Sequence, residues 1–209
     1  MQRVDDGLAK KGLGFDRDAA AMAVRHRGLD PYLHDILVDI ISLCSLFNNN
    51  LPNSTLDVNL FLENQTSICY RLLHFHPLGS HWPEPYDIIQ AAYHTGLTVL
   101  MMTMFLQHDR RRVLDYSLIT QCVWDVLEDS NSELLDEEFA LWLMLMGGIW
   151  ISVGVEVGSL LSRIQSTAEK LGLVRWDEAC IIMARFPWIH ALHDQPGREL
   201  WGRAIRDRT

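Results

Sequence analysis

The stretch 137–152, EEFALWLMLMGGIWIS, limits the folds open to this chain more than any other. Two acids open it, and a run without a charge follows, interrupted only by Gly147-Gly148. A helix over residues 139–153 would be about 22 Å long at 1.5 Å per residue. The hydrocarbon core of a bilayer is about 30 Å thick and wants about 20 apolar residues. No basic cluster flanks the run closely to orient it in a membrane. A membrane-associated protein anchored here is an alternative. The favoured expectation is a helix buried on all sides within an all-α domain. Each interior glycine costs a helix about 1 kcal/mol relative to alanine, so the pair predicts a close helix crossing or a kink.

The rest of the chain reads as helices around that centre. Residues 1–18 are polar and glycine-containing, a lead-in to a single domain over 19–209. A first helix is predicted from Pro31 to Phe47, with Leu33, Ile36, Leu37, Ile40, Ile41 and Cys44 on its buried face. Asn48 to Asn53 reads as the loop that ends it. The second helix covers about 55–75, with Leu60, Ile68, Leu72 and Leu73 in its apolar set. Three prolines and a glycine make 76–85 an irregular connector. The third helix covers about 85–107 and carries a polar stripe of Asp87, Gln90, His94 and Thr98. The fourth runs from Arg110 to Glu128, with Tyr116, Ile119, Val123 and Val126 on one face. Acids from Asp125 to Glu138 follow, the last of them suited to the positive end of the central helix. Further helices are predicted at about 155–171 and 177–186 and at the end of the chain, around 198–205. No strand alternation or internal repeat is visible. The expected fold is therefore all-α, an array of seven to eight helices around a central one at about 139–153.

Charge and cysteine usage narrow the function. The net charge is −9, which opposes gripping a phosphate backbone. The basic pieces, Arg110-Arg111-Arg112 and the tail with Arg198, Arg203, Arg206 and Arg208, read as solvated helix ends. Cys44, Cys69, Cys122 and Cys180 are widely spaced within apolar patterns and form no C-x-x-C pair. They read as small buried hydrophobes suited to a reducing compartment. The N-terminus lacks an apolar signal core, so the sequons at Asn53 and Asn64 read as chance matches.

Three groupings could carry chemistry. His74 and His76 with His81 nearby could bind zinc, provided the helix has ended before His76. This grouping defines the alternative of a small helical metal protein or enzyme. His190-Ala191-Leu192-His193-Asp194 could be a base with its orienting acid, although Asp194-Gln195-Pro196-Gly197 reads as a turn. Met101, Met102, Met104, Met144 and Met146 could line an adaptable groove, or simply fill the core. Trp142, Trp150, Trp176, Trp188 and Trp201 read as packing anchors. No phosphate-binding loop or nucleophile elbow occurs. No catalytic, cofactor or metal residue is assigned, and no cofactor is expected.

The order of several motifs is more telling than any one of them. Glu84 to Tyr93 (EPYDIIQAAY) is followed by Phe139 to Ile149 (FALWLMLMGGI). Leu173 to Ala179 (LVRWDEA), Arg185 to Ile189 (RFPWI) and Gly197 to Trp201 (GRELW) come after. This series resembles the C-terminal part of the fungal-specific transcription factor domain, the middle or regulatory region of fungal zinc-binuclear-cluster regulators. The likeness covers residues 68–202 and departs from the family at Gln90 and Pro187. It implies a non-catalytic regulatory domain in the nucleus. It also implies control through intramolecular contact, a protein partner, self-association or a small-molecule effector. The six-cysteine cluster through which the family contacts DNA does not occur in this chain, so direct nucleic-acid contact is not expected of it, nor is contact with a membrane.

Overall fold

A computed structural model describes residues 28–49, 58–82, 87–106, 117–151 and 157–206. These form eight α-helices and one 3-10 turn, with no strand among them: α1 Pro31–Asn49, α2 Val58–Phe75, α3 Ile88–Leu106, α4 Ser117–Glu128, α5 Glu137–Ile151, α6 Val157–Lys170, α7 Trp176–Met183 and α8 His190–Arg206, with the 3-10 turn at Ser132–Leu134. The all-α expectation and the helix number hold. The lead-in 1–18, the triple arginine, Tyr116, Arg208, the Asn53 sequon and the end of the expected central helix beyond Ile151 lie outside the described residues.

α5 is the central helix. Asp136 caps it, its carboxylate accepting from the N–H groups of Glu138 at 3.0 Å and Phe139 at 3.2 Å. Glu137 and Glu138 occupy the first turn, where the helix dipole favours negative charge. From Leu141 to Gly148 every residue is buried. α3, α4, α6, α7 and α8 all pack against this helix, so the apolar circumference is covered by protein. No helix among the described residues is long and apolar enough to cross a membrane. The two glycines face different neighbours. A side-chain carbon on Gly147 would lie 2.8 Å from Val123 of α4, and one on Gly148 would strike Leu200 of α8 and come within 3.1 Å of Leu160 of α6. The close approach is made by neighbouring side chains, whereas the glycine pair had suggested a backbone crossing or a kink.

α1 and α2 form an antiparallel pair, Tyr32 stacking on Phe75 at one end and Phe47 meeting Phe61 edge-on at the other. The buried face of α1 is as its periodicity predicts, with Leu43 added. α2 needs a correction. Ile68 and Leu72 are buried, but Leu60 is 39% exposed and Leu73 46%. The buried stripe is Gln65, Ile68 and Leu72, so Leu73 stands about 100° from it, one residue round a helix with 3.6 residues per turn.

Three boundaries also move. Asn48 and Asn49 belong to α1 rather than to a loop, and Asn48 serves the far end of the molecule. Its amide donates to the Trp188 carbonyl at 2.7 Å and accepts from the His190 N–H at 3.0 Å, one of the first-turn donors of α8 that have no helical partner. Asn48→Ala is expected to lower the unfolding free energy by about 1–2 kcal/mol in urea titration. A change below about 0.5 kcal/mol would mean that water replaces the clamp without loss.

The final helix is longer than expected. Asp194 to Gly197 lies inside α8, with Pro196 within the helix. Proline withholds the N–H that would reach Leu192, but packing outweighs that loss. The Trp188 indole donates to Asp194 at 2.7 Å. Gly197 lies beneath Trp176, where an added carbon would approach its ring to 2.7 Å. The preceding helix α7 ends at Met183, before Phe186. α6 stops where Gly172 takes φ +68° and the Leu173 N–H turns back to the Ala168 carbonyl at 2.8 Å, a left-handed ending that glycine permits.

Candidate functional site

The three candidate metal histidines do not gather. α2 ends at Phe75, as the pairing of His74 and His76 requires. His74 is nonetheless exposed and meets Tyr32 edge-on, and His81 is exposed as well. His76 is buried. Its Nε2 lies 3.1 Å from the Ser80 carbonyl and its ring stacks on Trp82 at 3.8 Å and 13°. Among the described residues no group of three or more His, Cys, Asp or Glu side chains is placed to hold a metal.

What does gather around His76 was hidden in the polar stripe of α3. His94 sits edge-on to both His76 and Trp82, each at 5.7 Å, and donates from Nε2 to the Leu72 carbonyl at 3.0 Å. The inner part of the stripe faces α2 and the connector: His94 and Thr98 are buried, as is neighbouring Thr95, whereas Asp87 at its outer end is exposed and Gln90 half-buried. Burial is the main reason the His94 pKa falls to about 4, with nearby His76 lowering it further against the opposing pull of the Leu72 carbonyl. The imidazoles and Trp82 wall one side of a cleft of ≈ 210 Å³, with Cys122 and Asp125 of α4 on the other. Burial raises the Cys122 thiol pKa, which makes it a poor nucleophile and a poor metal ligand at neutral pH. Burial likewise pushes Cys69 up to about 11 and Cys44 up to about 12.

The candidate base and acid pair splits into two structural roles. His190 is exposed, with Nδ1 3.2 Å from both Asp194 oxygens. His193 is 0% exposed and out of reach of any substrate. Its Nδ1 accepts the Ile189 N–H at 3.0 Å, so the neutral ring carries its proton on Nε2 and donates to Thr103 Oγ1 at 2.9 Å. That hydroxyl in turn donates to the Leu100 carbonyl at 2.6 Å. The chain His193–Thr103–Leu100 thereby locks α8 to α3.

Met101, Met104, Met144 and Met146 are buried and Met102 half-buried; they fill the core. Met144 also floors a cleft, of ≈ 430 Å³, between the end of α4, the 3-10 turn, α5 and α6. The one sequence signal for this cleft was the polar face of α6, Arg163, Ser166, Thr167 and Lys170, at spacings of three, one and three. No protein-family model, no curated protein and no solved structure matches this chain.

Proposed function

We propose that this chain is a non-catalytic regulatory domain of a fungal transcription-factor-like protein. In this reading it acts in the nucleus and modulates transcription through intramolecular, partner or effector contacts. One observation carries the reading: sequence pieces that give the resemblance, far apart in the chain, meet in one aromatic seam. Trp142 stacks with Phe139 and Phe186, and its indole donates to the Pro187 carbonyl at 2.9 Å. Trp176 lies against Trp201, Gly197 seats Trp176 and Trp188, and Gly148 seats Leu200. The ion pair of Arg185 with Glu138, the residue just before Phe139, adds a link between two of these pieces. Residues that recur in order in the family would be held there by mutual packing, and that supports a shared architecture.

A tethering experiment tests the regulatory role. The chain is fused to an unrelated DNA-binding module and expressed in a fungal cell with a matching reporter. Reporter output is expected to differ from that of the module alone, and the difference should vanish in a Trp142→Ala fusion that loses the seam. A folded wild-type fusion, present at the same level as the module and giving the same output, would overturn the proposal.

A further inference from the structure

We infer that the cleft between α4, α5 and α6 binds the zwitterion of an α-amino acid with an apolar side chain. The inference deepens the regulatory reading and rests on it for the ligand's role as effector, but not for binding. At ≈ 430 Å³ the cleft falls within the range of small-molecule sites, about 300–1,000 Å³. Its floor is apolar, formed by Leu135, Ala140 and Met144. One wall is the polar face of α6. There the half-buried Arg163 donates through one nitrogen to the Leu127 carbonyl. A guanidinium has five N–H donors, and no other acceptor among the described residues engages those of Arg163. Ser166 and Thr167 place hydroxyls beside it. The opposite wall carries Glu133 and Glu137.

Charge balance selects the ligand class. Arg163 and Lys170 supply two positive charges, and Glu133 and Glu137 two negative ones. An anion alone would face the carboxylates, and a cation alone would face the guanidinium and ammonium. A molecule carrying both charges at one end and hydrocarbon at the other matches walls and floor together. Its carboxylate would take the free donors of Arg163 and the α6 hydroxyls, which favours a charge-assisted pairing. Its ammonium would sit between Glu133 and Glu137, and its side chain over Ala140 and Met144. The Lys170–Glu137 pair, at 2.9 Å across the mouth with Lys170 61% exposed, is a surface pair that costs little to open.

Isothermal calorimetry on the purified chain decides the matter, using L-leucine, L-leucine amide and 4-methylpentanoate. Leucine is expected to bind saturably. The amide, which lacks the carboxylate, and the acid, which lacks the ammonium, should each bind at least about tenfold more weakly. Two variants at exposed wall positions should keep their circular dichroism. Glu133→Gln is expected to weaken leucine about tenfold, and Ser166→Trp to abolish binding by filling the cleft. No heat with leucine, isoleucine or phenylalanine up to about 10 mM would overturn the inference. So would equal affinity for all three probes, or unchanged binding by Ser166→Trp. Binding with an unresponsive reporter would sink the regulatory reading alone, whereas a responsive reporter without binding would sink this inference alone.

Discussion

Alanine at Gly96 is expected to destabilise the protein by about 2–3 kcal/mol, and the same change should become neutral or stabilising once Trp142 is alanine too. A carbon added to Gly96 would lie 2.5 Å from Trp142 Cζ3 and 2.8 Å from Cη2, with Leu143 Cδ1 at 3.1 Å. The obstacle is a rigid ring with no room to turn. Trp142 is fully buried, held by its bond to the Pro187 carbonyl at 2.9 Å and by Phe139 and Phe186, which pack against it and against each other. Trp142→Ala alone should cost about 3–5 kcal/mol through lost burial and the cavity left behind. In that cavity the clash with the ring is gone, the Leu143 methyl at 3.1 Å can shift into the vacated space, and alanine's helix advantage over glycine remains, about 0.5–1 kcal/mol. The two changes must therefore be strongly non-additive, by about 3 kcal/mol, in urea titrations of all four proteins. Additive effects would show that Trp142 is not what excludes a side chain from Gly96.

That pair also marks where sequence reasoning stopped. The periodicity of α1 and the unbroken apolar run of α5 made their buried faces readable, because one helix carries the whole signal. Gly96 carries none: its meaning depends on an indole from another helix. Leu60 and Leu73 were misplaced because hydrophobicity alone does not say which of two adjacent rows on α2 meets α1, and Gln65 holds the buried row. Pro196 and Gly197 had the chemistry of a turn, but the packing of Trp176 and Trp188 around them keeps the helix intact. The clefts were less legible still. Met144 in a cleft floor and Met146 in the core have the same apolar neighbours in sequence. His94 stood in a stripe that reads as surface until α2 is laid over it. For the larger cleft, Arg163 to Lys170 gave a polar helix face, which a solvated helix would show equally well.

Acid should unfold this protein well above the pH at which carboxylates alone would act, and two histidines are the cause. His94 and His193 each fall from an ordinary pKa of 6.5 to about 4, in both cases mainly through burial. For His193 the neighbouring Asp194 opposes the shift and His190 adds to it. Above pH 6.5 both rings are neutral whether the chain is folded or not, so their contribution is fully present. Below it the unfolded imidazoles take up protons that the folded ones refuse until about pH 4, and stability falls with pH because the unfolded state binds more protons. The loss is about 2 kcal/mol per histidine by pH 5 and about 3 kcal/mol by pH 4. Together they rival the whole stability of an ordinary domain, about 5–15 kcal/mol. Geometry explains the refusal at His193, where Nδ1 already accepts from the Ile189 N–H at 3.0 Å and a second ring proton would have to break that bond. Urea titrations at about pH 7.5 and pH 5 should differ by about 4 kcal/mol in the wild type. His94→Gln and His193→Gln should each be less stable near neutrality yet lose only about half as much on acidification. If the wild type were equally stable at both pH values, neither imidazole would be held neutral by the fold.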